Sequence, residues 1–246
     1  MLLIGLVAAV ILDVVVLLID WFPVAATKSA HEIDTLYDVL LLVSVPIFVL
    51  VMTVAVYSVV KFRARPGDMG DGPPIHGHTR LEVLWVTIPF MIVTTLAIYA
   101  WIVLNDVEAK KPNEMTVKVF AQQFTWHFEY PSLGNIKSDR LWLPKDQPVK
   151  FDVATQDVIH SFWVPSFRLK TDAVPGITTH IRATPDRNGR YDVVCAELCG
   201  LGHATMREFA YVVPRAQFNA WAAKQRKQQA PGGLPSGPLI KSKGSS

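Results

Sequence analysis

The stretch VLLLVSVPIFVLVMTVAVYSVV, residues 39–60, runs for 22 residues without a charge. About 20 apolar residues cross the hydrocarbon core of a bilayer, and a buried helix of a soluble domain rarely stays uncharged for so long. A second uncharged run, also of 22 residues, spans Val83 to Leu104. Together they predict an antiparallel membrane hairpin over residues 36–104. Pro46 and Pro89 lie inside the runs. Membrane helices tolerate proline better than soluble ones, because neighbouring groups re-satisfy the freed backbone. Composition agrees: half of the residues are hydrophobic, and 18% are charged, against about 25% in soluble domains.

Orientation follows from the loop at 61–80, KFRARPGDMGDGPPIHGHTR, which holds Lys61, Arg63, Arg65 and Arg80. The segment from Asp20 to Asp38 has only Lys28. Lys and Arg collect on the cytoplasmic side, so the loop is expected there, and Asn105 onward is expected outside a bacterial-type plasma membrane. Residues 1–19 form a third apolar run that contains Asp13. Two readings of the segment 1–26 stay open. It is a cleaved signal, with Val24-Ala25-Ala26 as a small-residue cleavage site, although no Lys or Arg precedes the apolar part. Or it is a third helix, with Asp13 turned to protein or water.

Residues 105–213 change character. MTVKVFAQQFTWHFEYP, PVKFDVAT, GRYDVVC and REFAYVVP alternate in polarity. Turn residues separate them at Pro131–Gly134, Pro144–Asp146, Pro175-Gly176 and Asp186–Gly189. Short alternating strands with such punctuation predict an all-β sandwich or barrel. This region carries thirteen Lys/Arg and thirteen Asp/Glu, so it has no strong steering field and nothing that suggests a nucleic-acid surface. From Pro214 a short helical stretch leads into a basic, Gly/Pro/Ser-rich tail to Ser246, expected to be disordered.

The chain has two cysteines, and both fall in CAELCGLGHATM, residues 195–206. A Cys195–Cys199 disulfide is compatible with an outer compartment. It would close a short loop with little entropic gain and leave His203 and Met206 unexplained. Zinc could use both thiols, His203 and one more histidine, and it has no need of Met206. Copper takes thiolate, thioether and imidazole alike. A mononuclear blue site needs one cysteine, whereas two thiolates four residues apart can bridge a metal pair and spread one added electron over both. That lowers reorganisation and suits a relay. His160, in DVIHSFWVPS, is the best outside ligand, because it ends a strand-like run and apolar residues follow it. His127 and His180 sit mid-strand, where a pleat-surface role is expected.

These residues resemble a known family. CAELCGLGHATM resembles the C-x-E-x-C-x3-H-x2-M pattern of cytochrome c oxidase subunit II, and VIHSFWVPSFRLKTDAVPG resembles that family's upstream histidine segment. The likeness covers about residues 36–221. It implies a membrane hairpin followed by a cupredoxin-like Greek-key domain. It implies a dinuclear copper centre, CuA, held by His160, Cys195, Glu197, Cys199, His203 and Met206. Glu197 would give its backbone carbonyl to copper and its side chain to a magnesium or manganese ion bordering subunit I. Glu82 aligns with a carboxylate at the mouth of a proton pathway into subunit I. Phe124, Trp126, Phe128 and Tyr130 are expected on one strand face, and Phe124 stands where many relatives have the tryptophan that accepts electrons. Trp126 is the nearest indole. The implied role is the electron-accepting subunit of a haem-copper oxidase, with subunits I and III and a cytochrome c as partners. It would feed haem in subunit I, where oxygen reduction is coupled to proton pumping. A quinol oxidase subunit lacks the thiols. A nitric or nitrous oxide reductase, or a copper carrier or assembly factor, is the alternative. No haem-attachment C-x-x-C-H occurs.

Overall fold

The computed structural model describes residues 2–229 except Arg65, Asp68, Met69, Asp71 and Pro73. The tail expected to be disordered lies outside the described residues. The chain forms two units. One comprises residues up to Trp21 and Glu32–Asp106, and the other comprises Phe22–His31 and the chain from Val107 onward.

The helices are α1 (Leu2–Leu17), α2 (Lys28–Lys61) and α3 (Thr79–Glu108). Both α2 and α3 are long and apolar enough to cross a membrane. Their large apolar side chains stand exposed along their length, among them Leu50, Phe48, Phe90 and Trp101. An apolar helix surface left uncovered by protein suits a lipid environment. α2 begins well upstream of Val39 because Thr27 caps it: Thr27 Oγ1 accepts the Ala30 amide at 3.1 Å. At about 1.5 Å per residue its 34 residues span roughly 50 Å, more than the ~30 Å hydrocarbon core.

The second unit is a sandwich of two five-stranded sheets. The first contains β1 (Met115–Gln122), β2 (Thr125–Tyr130), β3 (Ile136–Ser138), β5 (Val149–Thr155) and β8 (Thr179–Ala183), in the order β3-β2-β1-β5-β8. The second contains β4 (Leu141–Pro144), β6 (His160–Val164), β7 (Leu169–Ala173), β9 (Gly189–Cys195) and β10 (Arg207–Val213), in the order β4-β10-β9-β6-β7. β1 runs parallel to β5 and β4 to β10, and the other ladders are antiparallel. The alternation read from PVKFDVAT holds, since Val149, Phe151 and Val153 are buried and the residues between them are half-buried. Phe162 sits at the centre without exposure, with Trp126 and Phe151 both at 5.6 Å between ring centroids.

The far end is closed by α4 (Arg215–Gln229). Trp142 stacks on Tyr211 at 4.8 Å and on Trp221 of α4 at 5.4 Å. Tyr130 O–H donates to the Trp142 carbonyl at 3.0 Å and accepts its amide at 2.7 Å. Burial raises the Tyr130 phenol far above its usual range, so it remains a donor at any physiological pH. Gln229 pairs with both backbone groups of Lys137, at 3.0 and 2.6 Å, which covers part of the β3 edge.

Replacing Phe162 with Ala removes the side chain that joins the two sheets. A loss of about 3–5 kcal/mol is expected, read as an earlier denaturant midpoint for the near-ultraviolet circular dichroism of the outer domain.

Candidate metal centre

The ligand loop is an excursion between neighbouring strands. β9 pairs with β10 up to Val194 and Arg207, and the Cys195 amide donates to the Met206 carbonyl at 3.2 Å. The loop therefore leaves the sheet at Cys195 and returns at Met206, which fixes both sulfurs at its base. β6 lies beside β9 with Phe162 opposite Cys195, and the Ala196 amide donates to the Ser161 carbonyl at 2.9 Å. That register brings His160, 35 residues away in sequence, to the cysteine.

The donor atoms converge. Cys195 Sγ and Cys199 Sγ are 3.8 Å apart, and both cysteines are free. His160 Nδ1 is 3.8 Å from Cys195 Sγ, and His203 Nδ1 is 3.7 Å from Cys199 Sγ. Met206 Sδ is 3.8 Å from Cys199 Sγ. The Glu197 carbonyl oxygen is 3.2 Å from Cys195 Sγ, while the Glu197 residue itself is exposed. His160, Cys195 and Cys199 alone place their donor atoms within 4.8 Å of one another, and all three are buried. Two thiols, a thioether and two imidazole Nδ1 atoms form a soft and borderline set that suits copper, with one harder carbonyl oxygen beside it. Cys199 is pushed up to about 11, first by burial and then by the neighbouring Cys195. At neutral pH its thiol is protonated, and a thiophilic cation must displace that proton to bind.

Around this cluster lies a support that the sequence alone did not reveal. Asp157 Oδ1 accepts from His160 Nε2 at 2.9 Å, which leaves Nδ1 turned towards the sulfurs. Asp157 Oδ2 accepts the Gln123 amide at 2.7 Å, and the Gln123 side chain donates to the Cys199 carbonyl at 2.6 Å. Partial burial alone would raise Asp157, but hydrogen bonds from Gln123, His160 and Val158 outweigh it and hold the carboxyl down at about 2. The carboxylate's contribution to stability is therefore complete above its ordinary value of 3.8. It is lost only as pH falls towards 2. A DxxH spacing at a candidate ligand was the available signal, because a metal-binding His commonly donates its other nitrogen to a carboxylate.

Phe124 does not share a face with the other three aromatics. Trp126, Phe128 and Tyr130 point into the core from β2, whereas Phe124 precedes the strand and is 37% exposed. A period of two applies only within a strand, and the turn at Gln123 and Phe124 breaks it. The Phe124 ring lies instead on the ligand loop: a Cβ at Gly202 would come within 2.5 Å of it, and one at Gly200 within 3.2 Å. Trp126 is buried beside His160, 6.3 Å between ring centroids, and its Nε1–H has no partner among the described residues. His127 and His180 lie outside the cluster and pair with Asp139 and Asp152 at 2.9 and 2.7 Å. Glu82 stands in the first turn of α3, where its carboxylate accepts the His78 amide at 2.9 Å and caps the helix.

A sandwich with a thiol-centred soft cluster at one end, carried in one chain with an apolar helical hairpin, defines a membrane-anchored cupredoxin-like protein of the copper-binding type. Family profiles agree with this class. The transmembrane domain of cytochrome C oxidase subunit II matches residues 6–103, and the periplasmic domain of that subunit matches residues 136–213. Cytochrome c oxidase subunit 2 of Synechocystis sp. is 33% identical over 248 residues, covering 82% of this chain and 74% of that protein. Its counterpart from Thermostichus vulcanus is 32% identical, covering 85% and 78%. The solved periplasmic domain of subunit II from Bradyrhizobium japonicum is 26% identical, with a TM-score of 0.46, covering 48% of this chain and 96% of that domain. The chain belongs to the cytochrome c oxidase subunit II family, which carries the CuA copper centre and serves in a haem-copper terminal oxidase.

Two outcomes follow for metal uptake. Copper affinity of the apo-protein falls as pH drops from 8 to 6, by about tenfold per pH unit for each thiol that must lose a proton, measured by competition with a chelator of known affinity. Asp157→Asn weakens copper binding by about 10- to 100-fold in the same assay, while the circular dichroism of the sandwich is unchanged.

Proposed function

We propose that this chain is the electron-accepting subunit of its oxidase. His160, Cys195, Glu197 through its carbonyl, Cys199, His203 and Met206 hold the dinuclear CuA centre. What supports this reading above all is the pair of sulfurs with an imidazole Nδ1 beside each. When bound, the copper pair takes up and gives out one electron at a time with little rearrangement of its ligands.

The protein supplies position and shielding. The ladder between β6 and β9 sets His160 against Cys195. Asp157 fixes the imidazole orientation, and because its carboxyl is held at about 2 it remains an acceptor throughout the physiological range. Phe124 covers the ligand loop from outside and is the surface aromatic where an electron from a cytochrome c would arrive. Trp126 is buried behind His160 and serves as packing beside the centre. Glu197 turns its carbonyl to Cys195 and leaves its carboxylate at the surface, where it can take a magnesium or manganese ion at the border with subunit I. Electrons leave towards haem in subunit I, where oxygen is reduced and protons are pumped. Subunit III completes the complex. The basic loop at 61–80 is cytoplasmic and the sandwich extracytoplasmic. Glu82 at the start of α3 lies on the cytoplasmic side, where a carboxylate can admit protons.

The test is the visible and electron paramagnetic resonance spectrum of the copper-loaded chain. A purple, mixed-valence centre whose unpaired electron couples equally to both copper nuclei is expected. A colourless protein that retains zinc would sink the relay reading. Within the assembled oxidase, Glu82→Gln should slow reduction of the haem-copper site, and an unchanged rate would remove Glu82 from the proton path.

A further inference from the structure

We infer that α1 and the arm that follows it are a permanent part of the folded protein: α1 packs on α2 as a third membrane helix, and residues 22–28 strap the outer domain. The alternative is a leader cut between Ala26 and Thr27. The inference does not depend on the copper reading.

The arm belongs to the sandwich unit. The Ala26 amide donates to the Ser166 carbonyl at 2.9 Å, and the Ala26 carbonyl accepts the Asp186 amide at 3.1 Å. The Lys28 amide donates to the Thr184 carbonyl at 3.2 Å, and Thr27 pairs with Pro185 as an antiparallel bridge. Residues 26–28 thus lie between the turn at 165–167 and the 184–186 segment, hydrogen-bonded to both. Arg168 clamps the upstream end: its guanidinium donates to the Pro23 carbonyl at 2.8 Å and lies 4.7 Å from the centre of the Phe22 ring. Ala26, Thr27 and Ala30 are wholly buried.

Hydrolysis of the Ala26–Thr27 bond would undo this arrangement. It would leave an ammonium on Thr27, a residue with 0% exposure that caps the start of α2. A buried, unpaired charge costs several kcal/mol, and the positive end of the helix dipole repels a cation there. The hydrogen bonds of Ala26 and the Arg168 clamp would go with the released segment.

A second observation comes from α1 itself. Among the residues of α1 whose burial is described, the two buried ones are the small Gly5 and Ala9, four apart and so on one face. Gly5 lies so close to α2 that a Cβ there would come within 3.0 Å of Thr53 Oγ1. Small residues at this spacing let membrane helices approach closely. Asp13, one further step along the same face, has Oδ1 covered by protein, with no hydrogen-bond partner among the described residues. A leader needs a basic start, an apolar run and a small-residue cleavage site, and no face for packing. A small-residue face and a protein-covered carboxyl are features of a helix that stays and packs.

Peptide mapping of the full-length protein purified from its native membrane decides the first part. Peptides spanning the Ala26–Thr27 bond and peptides from α1 are expected at full abundance. A mature chain starting at Thr27, or anywhere after α1, overturns the inference. Hydrogen exchange on the same full-length protein tests the strap. The Ala26 and Lys28 amides should exchange on the order of 100-fold more slowly than in an unstructured peptide. Arg168→Ala should speed exchange in residues 22–28 without altering the copper spectrum. Exchange at the unstructured rate in the unsubstituted protein overturns the strap.

Discussion

The pairing of β6 with β9 is the contact on which the candidate metal centre depends. With Phe162 opposite Cys195, the residue that opens β6 arrives beside the first thiol. A slip of one residue would turn every side chain of β6 to the other face, and His160 would leave the cluster. The register is held because one face of the strand is committed to the core. Phe162 and Val164 have no exposed surface, and a slip would send them into water. Apolar burial deep in the sandwich thus fixes the position of a polar atom at its end.

A second level of support acts through Asp157. One carboxylate touches both the strand that carries the histidine and the turn that carries Gln123, and Gln123 in turn holds the loop at Cys199. The ligand loop, the histidine and the β1–β2 turn are therefore tied into one network. Gly200 and Gly202 complete it by leaving room for the Phe124 ring. A methyl at Gly202 would meet that ring at a distance no carbon contact allows, so the ring would have to move off the loop.

Much of this was legible in the sequence, and the reason differs by element. The two long apolar helices were visible because an uncharged run of 22 residues has few other uses. The ligand loop was visible because both cysteines of the chain fall in it. The apolar residues after His160 singled it out from His127 and His180, and it is the one of the three that lies beside the cysteines. Asp157 and Gln123 were not legible as supports, because their partners come from segments brought together only by sheet pairing. Phe124 departs from the face that alternation predicts because the turn before β2 interrupts the period. The early start of α2 was missed because its cap, Thr27, is secured by the outer domain and not by neighbours in sequence.

The spacing of the proposed ligands also bears on the order in which the centre would be built. Five of the six proposed donors lie between Cys195 and Met206, joined by one hairpin excursion, while His160 is 35 residues away from Cys195. Contacts between near neighbours form quickly, and long-range strand pairing comes later because a larger loop must be closed first. The loop can gather its own donors while the sandwich is still assembling. On the proposed ligand set, the distant histidine would act as the latch, and the site would be finished only when the fold is.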